Sequence, residues 1–221
     1  LRDIQEETIT SVLDTDDDLL VAAATASGKT EAVFLPLFSR AVASRGAGVR
    51  ILYVSPLKAL INDQFSRLES LCEGLDFPVH RWHGDVGQGG RQALLRSPSG
   101  ILLITPESLE AFFVLRGPSL KKLLAGLEAV VVDEVHSFIG RERGRQLQSL
   151  LHRIEVVVKR RVRRAGLSAT LGDMGLAAIG ELKFGAGAAI GAGDQQHDVV
   201  SVRDGGGGRF VDQVAVAEAF D

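Results

Sequence analysis

A single cysteine, Cys72, is all that the 221 residues contain. That excludes an internal disulfide and fits a reducing compartment. No apolar run approaches the roughly 20 residues a membrane-spanning helix needs, and the N-terminus has no signal-peptide pattern. No membrane partner is therefore expected, and a cytoplasmic location is the reading. Basic residues are not in excess either: 25 Lys and Arg against 28 Asp and Glu leave a net charge of −3. Any contact with a polyanion must come from local groups rather than from a global field. Internal repeats are absent. So is an initiating methionine, since the chain begins at Leu1, and a piece of a longer protein is expected. What is there, 45% hydrophobic and 24% charged residues, is ordinary globular composition, with length for one large domain or one domain and an appendage.

The apolar pattern alternates between short continuous runs and helical periods. A helix is expected over 3–13, then strands at 19–24, 49–54, 79–82, 100–105, 127–134 and 164–170. Helices are expected between them: to about Ser44, from Lys58 to about Cys72, over 91–96, after Pro106, and over 143–157. Near-continuous apolar strands alternating with helices predict an α/β fold, a parallel sheet covered by helices on both faces. From residue 173 glycine becomes dense and the apolar period fades, so 173–221 is expected to be a Gly-rich peripheral segment or linker, loosely packed after about Gly185. Strand-like 197–202 and helix-like 211–220 stand out within it.

The stretch LLVAAATASGKTE (19–31) organises the rest. A buried strand breaks into a small-residue loop and then into a helix, the context in which Gly-Lys-Thr is a phosphate site. Backbone N–H groups of Thr25, Ala26, Ser27 and Gly28, with the helix start at Lys29, Thr30 and Glu31, would cradle an anion. Lys29 reaches the outer phosphates and the Thr30 hydroxyl ligates Mg²⁺. The match departs from GxxxxGK[ST] at Ala23, and Ala26 stands where many motor ATPases have a second glycine.

AVVVDEVH (129–136) is the second half of that chemistry. An apolar strand delivers two carboxylates at its C-terminal end, the sheet edge where parallel α/β folds bind ligands. Asp133 suits Mg²⁺, usually through water, and Glu134 suits orienting and deprotonating the attacking water. His136 reads as a relay between nucleotide and loops rather than a metal ligand. An acidic loop capping a strand is the competing explanation, and the upstream phosphate loop weighs against it.

With these two motifs in this order, the chain resembles the first RecA-like domain of superfamily 2 DExH-box (DEVH) helicases. ATASGKTEA, SPLKALINDQ, HGD and DEVH together look most like large helicase-related (Lhr-like) ATPases. The resemblance covers about residues 1–172 and implies a RecA-like P-loop NTPase domain using ATP and Mg²⁺. It implies that Gln5 reads adenine. Ser55, Pro56, Leu57 and Lys58, Gly84 and Asp85, and Thr105, Pro106 and Glu107 would hold a single DNA or RNA strand by its backbone. Ser168, Ala169 and Thr170 would couple hydrolysis to strand movement. A second RecA-like domain elsewhere in the full-length protein, movement 3′ to 5′, and a cytoplasmic or nucleoid-associated setting are implied too.

Plainer roles stand beside each of these. Gln5 suits an exposed helix position, and Ser55-Pro56 and Thr105-Pro106 suit strand-to-helix joints, because Ser and Thr cap helices and Pro favours their first turn. His83-Gly84-Asp85 suits a turn, and Ser168 and Thr170 suit hydroxyls satisfying a buried edge. Trp82 reads as core rather than a base-stacking platform. The basic run Lys159–Arg164 reads as cations complementing the preceding helix dipole and solvating a turn. Two other activities remain open: a translocase that hydrolyses ATP without separating strands, and a nucleotide-gated clamp without turnover.

Overall fold

A computed structural model describes residues 3–23, 28–44, 46–169, 187–192, 199–202 and 215–216. They contain helices α1 (Asp3–Asp14), α2 (Lys29–Ala43), α3 (Lys58–Leu71), α4 (Gln88–Arg96), α5 (Pro106–Leu123) and α6 (Glu142–Val158). The strands are β1 (Asp18–Ala23), β2 (Ile51–Val54), β3 (Val79–Trp82), β4 (Ile101–Ile104), β5 (Ala129–Val132), β6 (Arg163–Ser168), β7 (Gly187–Ala192), β8 (Val199–Val202) and β9 (Ala215–Val216). Two compact units divide them: Leu1–Arg40, Glu134–Arg145 and Arg163–Asp221 in the first, Ala41–Asp133 and Gln146–Val162 in the second.

In the second unit four parallel strands run in the order β3, β4, β2, β5. ILYV, ILLI and AVVV are buried at every position, as strands covered on both faces must be. The register aligns Trp82 with Ile104, Ile104 with Val54, and Val54 with Val132. The next residues of the four strands, His83, Thr105, Ser55 and Asp133, thus leave the sheet along one edge. Helix α3 turns Ile61 and Leu68 inward, seven residues and two turns apart. Helix α5 is kinked at Arg116 (φ −137°, ψ 25°), because Pro118 has no N–H to continue the ladder and Gly117 yields easily. Trp82 is core, as expected, its ring centroid 4.3 Å from that of Phe112.

In the first unit β1 lies between β6 and β7, parallel to both, and β8 and β9 extend the sheet antiparallel. Its core gathers Leu19, Leu20, Val21, Phe34, Phe138 and Leu167. Here the tail departs from expectation. Residues 187–192, GAAIGA, pair with β1 along its whole length. A parallel ladder is made by backbone groups, so small residues suffice where no apolar alternation is visible. Within the helix-like stretch 211–220, residues 215–216 are strand. The boundary near residue 172 lies outside the described residues.

The basic run also reads differently in three dimensions. Arg163 and Arg164 are buried. Arg163 donates to Ser11 O (3.1 Å), Val12 O (2.8 Å) and Thr15 O (3.0 Å). It therefore serves the C-terminal carbonyls of α1, which has no basic residue in its last turn, and not those of α6. Among the described residues no helix is long and apolar enough to cross a membrane.

Candidate functional site

The first unit holds the phosphate-loop residues. Residues 24–27 are outside the described set, so Thr25, Ala26 and Ser27 are not placed. Gly28 closes the loop with φ +87° and α2 opens at Lys29. Thr30 is buried, and Lys29 and Glu31 are partly exposed in the first turn. Gln5, on α1, packs directly over the glycine: a Cβ at Gly28 would lie 2.6 Å from Gln5 Nε2. The left-handed backbone demands glycine here, and a larger residue would displace the Gln5 amide above it. The structure thus brings Gln5 and the Gly28-Lys29-Thr30 segment together.

Glu134 takes the left-handed conformation, φ 48° and ψ 47°, uncommon for a residue with a side chain and of the kind that clusters at functional sites. The reversal turns the chain at the end of β5 into a short 3-10 turn, Val135–Ser137, with Ser137 N donating to Glu134 O at 2.8 Å. It also brings the two polar side chains together: His136 Nδ1 lies 3.2 Å from Glu134 Oε2. Ser168 is buried and sits opposite Ala22 in the β1–β6 ladder. Ala169 follows, and Thr170 is outside the described residues.

The second unit holds Asp133 and the three strand-end loops. Asp133 is 8% exposed, its N–H donates to Val54 O at 2.9 Å, and its Oδ2 accepts from the hydroxyl of Tyr53. Thr105 behaves as its type predicts: it is the N-cap of α5, accepting from Ser108 N at 3.3 Å with Pro106 in the first turn. Pro106 itself is buried and Glu107 is exposed. Ser55 does not cap a helix. The N-cap of α3 is Leu57, without a side-chain cap bond, and the Ser55 hydroxyl is buried with no hydrogen-bond partner among the described residues. Leu57 and Lys58 are exposed at the start of α3.

His83, Gly84 and Asp85 form a braced turn. Arg91 from α4 donates to His83 O (2.5 Å) and Gly84 O (2.9 Å). Lys58 Nζ lies 3.2 Å from Asp85 Oδ2. His83 Nε2 meets Asn62 Oδ1 at 3.2 Å, an oxygen that also accepts from Arg81 at 3.0 Å. Burial lowers the His83 pKa below its ordinary 6.5; Asp85 opposes this, while Arg81, Lys58 and Arg91 add to it. The Asn62 oxygen can only accept, so the contact calls for an N–H at His83 Nε2.

Tyr53 and Arg91 belong to no motif read from the sequence, and Asn62 falls within SPLKALINDQ without a role of its own. For Tyr53 there was one signal, a lone polar-tipped aromatic in an aliphatic strand. Arg91 offers none, because helix surfaces are rich in such residues, and for Asn62 the motif marks the segment but not the contact with His83.

Oxygen donors dominate the candidate metal residues, a buried hydroxyl at Thr30 and a buried carboxylate at Asp133. Each by itself is a donor of the kind Mg²⁺ accepts, since that ion is held through one or two carboxylates and substrate phosphates while keeping several waters. Such a site needs no protein cage, and no group of three or more His, Cys, Asp or Glu able to hold a metal occurs among the described residues.

A family model described as DEAD/DEAH box helicase matches residues 2–177. The chain is 35% identical over 173 residues to the Lhr helicase/uracil glycosylase of Escherichia coli, covering 69% of this chain and 11% of that protein. It is 34% identical over 170 residues to the ATP-dependent helicase Lhr-Core of Methanothermobacter thermautotrophicus, covering 70% and 19% respectively. Among solved structures, Mycobacterium smegmatis helicase Lhr bound to ssDNA and AMP-PNP is similar with a TM-score of 0.65 and 32% identity, over 76% of this chain and 22% of that one. The chain therefore spans less than a quarter of the length of these relatives. Their shared fold is α/β and RecA-like, the first expected from the alternation of strands and helices and the second from the family resemblance.

Proposed function

Because the chain belongs to the DEAD/DEAH box helicase family, we propose that it is the ATP-binding motor domain of a helicase that couples ATP hydrolysis to movement along, and separation of, DNA or RNA strands. Lys29 and the loop amides bind the outer phosphates. Thr30 and Asp133 hold Mg²⁺, which when bound neutralises phosphate charge. Glu134 orients the attacking water and takes its proton, with His136 as the neighbour that passes on its state. Gln5, seated on Gly28, contacts the base. Ser168, Ala169 and Thr170 couple hydrolysis to strand movement.

The observation that carries the nucleic-acid side is the shared edge of β3, β4, β2 and β5, where the HGD, TPE and SPLK segments emerge one residue past their aligned strand ends. Ser55 contributes position rather than its buried hydroxyl. The start of α3, with Leu57, Lys58 and no side-chain cap, offers N–H groups and a cation to a phosphate. Gly84 and Asp85, Thr105, Pro106 and Glu107 add backbone contacts. Such binding is sequence-tolerant and salt-sensitive. An arginine finger, worth roughly 10³–10⁵ in rate, comes from a second RecA-like domain of the full-length protein.

The test is the full-length protein with ATP, Mg²⁺ and a tailed duplex. Lys29→Ala should abolish hydrolysis and weaken ATP binding, while Glu134→Gln should keep binding and stop turnover. Wild-type hydrolysis by Glu134→Gln would overturn the assignment of Glu134. Strand-stimulated ATPase without unwinding would identify a translocase instead.

A further inference from the structure

Tyr53 is the one tyrosine of the chain and is fully buried in β2, among aliphatic residues. A buried hydroxyl is costly unless it is hydrogen-bonded, so this position needs a reason to be Tyr and not Phe. The reason in view is Asp133: the Tyr53 hydroxyl donates to its Oδ2. The geometry follows from the ladder. Tyr53 is paired with Val131, and Asp133, two residues on, lies on the same face of the sheet. The two residues of rise, about 6.6 Å, are spanned by a tyrosine leaning along its strand.

We propose that Tyr53 is a positioning residue for Asp133, its hydroxyl selecting the carboxylate plane in which Asp133 meets a hydrated Mg²⁺. The torsion that orients an aspartate carboxylate is broad, with no sharp staggered wells of its own. A donor on a packed ring, fixed by the strand, adds a directional preference to that torsion. A hydrogen bond to an ionised acceptor is about twice as strong as a neutral one, so the constraint survives thermal motion. Nothing is asked of Tyr53 as an acid or a ligand; it acts through Asp133. The inference rests on the reading of Asp133 as the metal-binding carboxylate.

The experiment measures the affinity of a fluorescent non-hydrolysable ATP analogue with and without Mg²⁺. The ratio of the two affinities is the readout, which a purely structural hydroxyl would leave unchanged. Tyr53→Phe should leave metal-free affinity as in the wild type and cut the Mg²⁺-dependent gain about ten-fold, the scale of one hydrogen bond to a charged group. Asp133→Asn is the control for the underlying reading, and should remove the gain. Adding Tyr53→Phe to Asp133→Asn should change nothing further. A full gain in Asp133→Asn would overturn the reading of Asp133. A lost gain in Asp133→Asn with a wild-type gain in Tyr53→Phe would overturn the role of Tyr53 alone. If Tyr53→Phe does not fold, 3-fluorotyrosine in the 221-residue chain labels Tyr53 only. Its fluorine resonance should then move when Mg²⁺ joins the bound analogue, and a resonance that stays put would overturn the proposal.

Discussion

Arg40 and Arg163, one on α2 and one on β6, donate to the same two carbonyls, Val12 O and Thr15 O, at 2.8–3.2 Å. Four hydrogen bonds from two guanidinium groups therefore close the C-terminus of α1, the helix that carries Gln5. Burial and then the like charge of Arg40 lower the Arg163 pKa, against Asp16, Asp18 and Asp17, which raise it. The group remains charged because an arginine starts so high. Asp16 pairs with Arg40 and Asp18 accepts from Arg164 N at 2.8 Å, so the acidic turn after α1 is part of the same arrangement.

Removing Arg163 should cost about 3 kcal/mol, since it is buried and leaves carbonyls short of a donor. Arg40, with its side chain 35% exposed, should cost less. The double substitution should exceed the sum of the singles, because in each single variant the other arginine still serves the shared carbonyls. Urea denaturation of the four proteins measures this; simple additivity would show that the two arginines act independently.

Gly28→Ala should be damaging out of proportion to one methyl group. The left-handed backbone costs a residue with a Cβ roughly 1–2 kcal/mol, and the methyl would meet Gln5 Nε2 at 2.6 Å. Displacing Gln5 should reduce the preference for ATP over GTP while leaving binding of inorganic triphosphate less affected. Competition assays with the three ligands test it. An unchanged base preference would separate Gln5 from base reading.

Protonating His83 should destabilise the fold. Its folded pKa lies below the ordinary 6.5, so in the window below 6.5 the unfolded chain binds more protons and stability falls as pH falls. Above 6.5 both states are neutral and nothing is lost. His80 is lowered by burial in the same direction. His83→Gln keeps a donor for Asn62 and cannot be protonated. Its denaturation midpoint should therefore fall less between about pH 7 and about pH 5 than that of the wild type. Parallel curves would show that His83 does not carry the acid sensitivity.

Lys58→Ala should weaken binding of single-stranded DNA uniformly across sequences and reduce the salt slope by about one counterion. Its partner Asp85 is 73% exposed in its side chain, and so open a pair holds little energy of its own. A phosphate can therefore replace it. A salt slope equal to that of the wild type would remove Lys58 from the interface.

Local pattern was enough for much of this molecule. Continuous apolar runs identify β2, β4 and β5, because a strand buried on both faces admits little else. Gly28-Lys29-Thr30 after a strand and Asp133-Glu134 at the end of another are the pattern from which phosphate and metal chemistry is proposed, because that chemistry needs those groups at those joints. Thr105 and Pro106 open α5 as their own bonding preferences require. What the chain in one dimension does not hold is the pairing of distant groups. Arg163 reads as one more cation in a basic turn, until folding sets it against carbonyls of a helix 148 to 152 residues earlier. Residues 187–192 read as loose because a ladder of backbone bonds leaves no mark in side-chain pattern. Asp133 announces itself; that it meets the hydroxyl of Tyr53, 80 residues away, is set by the register of two parallel strands, and register is a property of the folded sheet alone.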